Sequence, residues 1–220
     1  MTRVLVLRPE PGASATVEKA RARDLDALAV PLFEIEPVRW DVPEQAGFDG
    51  ILFTSANAIR HAGQQLGELR GLAAYAVGEA TADAARAAGF DIRSTGNDGV
   101  DRLLQSIEPD LRLLHLCGED RKAPSTAPQT IVPVSVYRAK ERAADLSQAA
   151  GSVVLVHSPR AGRRLADLME NRSNIRVAAI SAAAAEAVGG GWQRVEAAKD
   201  PSDDALLALA TSLCKKPDGE

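Results

Sequence analysis

Six turns in this 220-residue sequence put small or polar residues where an apolar run stops. They read RPEPG (8–12), TSAN (54–57), GEAT (78–81), CGED (117–120), SPRA (158–161) and SAAA (181–184). Small residues let a ligand approach the backbone. The first N–H groups of a helix lack intrahelical partners and lie at the positive end of its dipole, so they attract carboxylates or phosphates. The chemistry suggested is anion capture. Ser158 followed by Pro159 is a well-formed helix start, with serine as N-cap and proline at the first helical position. Arg8 and Arg160 add fixed cations beside two of these turns. The plainer alternatives stand beside this reading: a serine or threonine before a helix is usually only a cap, and an arginine after a strand can be a structural partner.

Other chemistries lack their residues. No GxGxxG or GxxxxGK[ST] pattern occurs, and the glycines of VGGGW (188–192) follow a helical segment, where they read as a stop. No serine sits in a GxSxG elbow. His61, His115 and His157 share no motif with cysteines or carboxylates, and the last two lie in or at the end of apolar runs, which suits hydrogen-bonded core histidines. Cys117 and Cys214 have no CxxC neighbour and suggest no disulfide framework. A reaction here must rest on positioning more than on a nucleophile, a metal or a cofactor.

Composition narrows the partners. No window approaches the roughly 18 apolar residues of a membrane span, and the opening MTRVLVLRPEPG is too short in its apolar part for a signal peptide, so no membrane is expected and the cytoplasm is the expected compartment. Net charge is −4 with both signs interspersed, and aromatic residues are only 4%, which argues against nucleic acid. With no long exposed apolar stripe, a monomer is the default.

The turns need strands and helices to hold them. Apolar runs at 4–7, 30–35, 51–53, 73–77, 113–116, 131–137, 153–156 and 177–180 alternate with helical periodicity at 79–89 and 161–170, which predicts parallel α/β structure. Gly89 is placed as a helix stop before an extended piece at 90–94. The spacing also repeats. Ser55 and Ser158 lie 103 residues apart, as do Gly78 and Ser181; Val30-Pro31 and Val132-Pro133 lie 102 apart, as do Gly89-Phe90 and Gly191-Trp192; RVLVLRPE (3–10) and RLLHLCGE (112–119) match at 109. Ordered landmarks of this kind predict a duplicated unit of about one hundred residues and two similar α/β domains, whose strand ends could form a cleft. The two Val-Pro segments are the expected crossings, since proline suits edge strands.

Taken in order, LRP (7–9), ILFTSANAI (51–59), AVGEATADAARAAGF (76–90), LHLCGEDR (114–121), PVSVYRA (133–139), VLVHSPRAG (154–162), AAISAAAAEA (178–187) and PSDDALLAL (201–209) resemble the uroporphyrinogen-III synthase family along nearly the whole chain. The resemblance implies two flavodoxin-like parallel-sheet domains, residues 1–34 plus 139–220 and residues 38–131, joined by linker strands near 33–38 and 132–138, with the active-site cleft between them. It implies closure of a linear tetrapyrrole polycarboxylate, hydroxymethylbilane, into uroporphyrinogen III with loss of water and inversion of the last ring, through azafulvene and spiro intermediates and without a cofactor. It also implies a possible hand-off from hydroxymethylbilane synthase.

Carried onto this chain, the family's catalytic candidates are Tyr137, as hydrogen-bond donor or weak general acid, and Thr81 as second choice. The alternatives are a packed linker tyrosine and an ordinary first-turn threonine. Arg8, Thr54, Ser55, Gly78, Glu79, Gly118, Ser158, Pro159, Arg160 and Ser181 are the expected substrate contacts, mostly through backbone. The turn at 181–184 departs from the family's hydroxyl-rich pattern, leaving only Ser181. The rival readings are a non-catalytic two-domain module binding an anionic ligand and, more weakly, a glycosyltransferase-like enzyme.

Overall fold

The computed structural model describes residues 2–96, 99–121 and 123–215. In chain order the elements are β1 (Arg3–Val6), α1 (Gly12–Arg21), β2 (Asp26–Ala29), β3 (Phe33–Pro37), β4 (Gly50–Phe53), α2 (Ala56–His61), β5 (Ala73–Val77), α3 (Glu79–Ala87), β6 (Ile92–Gly96), α4 (Val100–Gln105), β7 (Arg112–Gly118), β8 (Thr130–Glu141), β9 (Val153–Val156), α5 (Pro159–Leu168), β10 (Arg176–Ala179), α6 (Ala182–Ala187), β11 (Arg194–Ala197) and α7 (Asp203–Lys215). The chain divides into two compact units, Met1–Glu34 with Glu141–Glu220, and Ile35–Lys140.

The first unit holds a five-stranded sheet in the order β11-β10-β9-β1-β2, with every neighbouring pair parallel. Numbered along the chain this is 2-1-3-4-5, the flavodoxin-like order. Its central strand, VVLV in β9, is buried throughout, as a strand covered on both faces must be. Val4, Val6, Val153, Leu155 and Ala178 pack on one face against Val17, Leu206, Leu207 and Ala210 from α1 and α7.

The second unit repeats the plan. Its sheet runs β3-β8-β7-β4-β5-β6, so β8, β7, β4, β5 and β6 take the places of β2, β1, β9, β10 and β11. The first two strands of the pattern come last in this unit's sequence. The landmarks coincide in role as well as spacing: Ser55 and Ser158 are the N-caps of α2 and α5, Gly78 and Ser181 those of α3 and α6. Side chains alternate across the sheet, so Ile51 and Phe53 enter one core and Leu52 the other. Helix α3 ends as the sequence predicts: the N–H groups of Gly89 and Phe90 bond to the carbonyls of Arg86 and Ala85, a Schellman arrangement.

Three details differ from the expectations. The apolar run at 30–35 is not one strand: Val30 and Leu32 donate to Val6 and Leu7, Pro31 has no N–H to give, and β3 starts at Phe33. Ahead of it lies β2, whose DALA sequence carries little strand propensity. It is a strand because it pairs in register with β1, and Arg3 Nε holds the Asp26 carboxylate at 2.9 Å. Finally, β8 is an inner strand between β3 and β7. Pro133 is tolerated there because β3 meets β8 beyond it: Val38 N–H donates to Val136 O, and Glu36 pairs with Arg138 and Lys140.

Candidate functional site

In a parallel sheet the ligand-binding edge is the one at the carboxyl ends of the strands. The second unit's edge is built from the turns after β4, β5 and β7 together with the later part of β8. After β4, the Thr54 hydroxyl lies 2.9 Å from His115 Nε2 on the neighbouring strand. Burial pushes the His115 imidazole down to about 4, with the charge of Arg121 acting the same way, so the ring is neutral at pH 7 and is satisfied by a core hydrogen bond. Ser55 adopts extended geometry and caps α2, its Oγ accepting from Asn57 N–H at 3.2 Å. After β5, Gly78 (φ +82°) starts α3 without a side-chain cap, so this helix start presents backbone donors alone. Glu79 at the first position pairs with Arg86 at 2.9 Å, and Thr81 is buried with its N–H on Gly78 O.

The ladder between β7 and β8 slips by one residue at its end: Cys117 stands opposite Ser135, but Gly118 stands opposite Tyr137. Such a bulge re-aims a side chain. The Tyr137 ring lies against Gly118, where an added Cβ would be 2.7 to 3.1 Å from three ring and hydroxyl atoms. Glu119 N–H donates to Tyr137 O at 3.0 Å and fixes the return of the chain. Burial raises the phenol's pKa, and the Ser55 hydroxyl works in the opposite direction. The His61 ring stands beside Tyr137, centroids 6.3 Å apart.

The first unit's edge is held differently. Arg8 Nη1 grips both oxygens of Asp203, at 2.9 and 3.1 Å, and its guanidinium lies over Gly12, where a Cβ would come within 2.5 Å. Thr16 Oγ1 donates to the same carboxylate at 3.0 Å. His157 Nε2 is 3.4 Å from Asp203, in a contact too poorly aimed to satisfy either ring nitrogen. Ser158 caps α5 through Ala161 N–H, with Pro159 at the first helical position, and Ser181 caps α6 through Ala184 N–H. Arg160 lays its guanidinium over the Phe33 ring, 4.6 Å from the centroid.

The model of the family described as Uroporphyrinogen-III synthase HemD matches residues 14–208. The chain belongs to this family. Among uroporphyrinogen-III synthases of known name, that of Chlorobaculum parvum is 34% identical over 90 residues, a match spanning 37% of this chain and 37% of that protein. The crystal structure of the synthetase from Helicobacter pylori 26695 aligns over 97% of this chain and all of its own, at 20% identity and a TM-score of 0.65. A mutant synthase from the extremely thermophilic bacterium Thermus thermophilus aligns over 98% and 100%, at 19% identity and a TM-score of 0.54. At these identities the structures speak for the fold.

Within this uroporphyrinogen-III synthase family chain, Thr54, Ser55, Gly78, Glu79, Gly118 and Tyr137 share one edge of the second unit, and Arg8, Ser158, Pro159, Arg160 and Ser181 share the equivalent edge of the first. An open hollow of about 710 Å3 around Thr2, Asp26, Gly151 and Cys214 lies at the opposite end of the first unit's strands and gathers none of them. Two residues escaped the sequence reading. His61 shares no motif with cysteines or carboxylates, and Asp203 sits in a tail motif 195 residues from Arg8, with no local sign of its partner. Among the described residues no helix is long and apolar enough to cross a membrane, and no cluster of His, Cys, Asp or Glu could hold a metal ion.

Proposed function

We propose that this chain is a uroporphyrinogen-III synthase, closing hydroxymethylbilane to uroporphyrinogen III with loss of water and inversion of the last ring. Membership of the family supports the reading, and the observation that carries it is Tyr137, aimed by the bulge and seated on Gly118 at the ligand-binding edge. The substrate's electron-rich pyrrole expels its own hydroxymethyl oxygen, so the protein needs neither a strong nucleophile nor a strong base. Tyr137 donates a hydrogen bond or a proton to the departing oxygen. Helix starts at Ser55, Gly78, Ser158 and Ser181 take carboxylate arms through backbone N–H groups, with Arg160 and Arg8 beside them. Thr54 Oγ1 stays with His115, and Glu79 and Thr81 contribute the backbone of the α3 start. Anion binding through backbone donors reconciles a net charge of −4 with a polyanionic substrate.

The linear substrate closes unaided to the uninverted isomer, so the catalytic problem is orientation. Direct receipt from hydroxymethylbilane synthase would limit that loss. The test is to supply freshly made hydroxymethylbilane, oxidise the products and resolve the type I and type III porphyrins. Excess type III over the blank supports the synthase; type I alone leaves an anion-binding module.

A further inference from the structure

Two arginines stand at the first unit's ligand-binding edge, and they are held in opposite ways. Arg8 is gripped by the Asp203 carboxylate at 2.9 and 3.1 Å, so its positive charge is met by a negative one at contact. Arg160 rests on a ring, its guanidinium carbon 4.6 Å from the Phe33 centroid. A ring attracts a cation through its quadrupole and carries no net charge, so this contact fixes the guanidinium without cancelling it. The five N–H donors of the group lie in its plane and the ring covers a face. Stacking and hydrogen bonding to a carboxylate therefore do not compete.

The support under Arg160 is fixed by the fold. Phe33 is only 4% exposed. Just before it, Leu32 N–H donates to Leu7 O and Leu32 O accepts from Arg142 N–H, each at 3.1 Å, so the chain enters β3 tied on both sides. Arg160 is the second residue of α5, after Pro159, in a helix capped by Ser158. One turn on, Arg164 Nη1 meets Glu141 Oε2 at 3.2 Å and holds the same side of the helix. An arginine left to itself samples many rotamers, and ordering it on a ligand costs affinity.

We propose that Phe33 is a positioning residue for Arg160, holding the guanidinium ready at the edge for a carboxylate arm of the substrate. The inference rests on the synthase reading for the identity of the ligand, a flexible linear polycarboxylate. The ring carries the cation before the substrate arrives, so only the arm has to be immobilised on binding. A bidentate guanidinium–carboxylate pair then fixes both the place and the plane of that carboxylate, which a lone backbone N–H cannot do. A phenylalanine that serves only as core packing would change stability and leave affinity alone.

Fluorination of the ring separates the two roles, because it drains the negative face while nearly keeping the shape. Phenylalanine and its mono-, di- and trifluoro derivatives are placed at position 33 of the full chain by site-specific incorporation. Binding of uroporphyrin III, the oxidised product and a polycarboxylate, is followed by its fluorescence, and KM and kcat are measured with hydroxymethylbilane. Both Kd and KM should rise stepwise, about five-fold at the trifluoro derivative, with kcat unchanged. In an Arg160→Gln background, fluorination should move neither. A flat series in either assay overturns the proposal, and so does an equal rise in the Arg160→Gln background, which would assign the effect to packing. Failure of the wild type to bind uroporphyrin III overturns it as well. Binding is read without turnover, so a chain with the stepwise Kd series that formed only type I porphyrin would fault the synthase reading alone.

Discussion

Gly118 and Tyr137 stand opposite each other across the slip that ends the β7–β8 ladder, and the tyrosine ring occupies the space a Cβ on Gly118 would need. A family position that reads as a backbone contact for substrate is, in this geometry, also the seat of the Tyr137 ring.

Replacing Gly118 with alanine should therefore act through Tyr137. A Cβ 2.7 Å from the ring forces the tyrosine to move, so turnover should fall sharply, toward that of Tyr137→Phe, which is expected on the order of a hundredfold below the wild type. In a Tyr137→Phe background the further change Gly118→Ala should cost little more. The double-mutant cycle is the measurement, and additive losses would separate the two residues.

His115 predicts a pH dependence of stability. Its folded pKa, pushed down to about 4 by burial, lies below the unfolded value of 6.5. A depressed pKa means the unfolded chain binds the extra proton, so the contribution is complete above pH 6.5 and is lost as pH falls toward 4. Urea unfolding of wild type and His115→Gln across this window should show the wild type losing roughly 3 kcal/mol more. Parallel curves would mean His115 is not the buried neutral ring described.

Asp203 titrates lower. Burial pushes its carboxyl up, but the neighbouring His157, Arg8 and Thr16 hold it down at about 2, against an ordinary value of 3.8. Its contribution is present above pH 3.8 and lost as pH falls through 2. Asp203→Asn should thus be less stable than wild type near neutral pH, with the gap closing near pH 2, measured by denaturant midpoints. A constant gap would assign the effect to packing.

Much of the frame was legible because it rests on periodicity. VLVL, ILF and VVLV announce strands buried on both faces, and paired landmarks 102 or 103 residues apart predict the duplicated unit that the two sheets repeat. DALA in β2 was illegible because its pairing with β1, and not its residues, makes it a strand. Among the site residues, the helix caps at Ser55, Ser158 and Ser181 could be read from the local pattern. The bulge could not: a one-residue slip between strands leaves no mark in either sequence, yet it decides where Tyr137 points. The grip of Arg8 on Asp203 is likewise a long-range fact.

The most direct measurement is the isomer ratio. Hydroxymethylbilane made in situ is exposed to the wild-type chain, to Tyr137→Phe and to buffer, and the oxidised porphyrins are resolved. The account predicts mainly type III with the wild type, a much slower rise of type III with Tyr137→Phe, and type I in buffer. Type I alone with the folded wild type would contradict it.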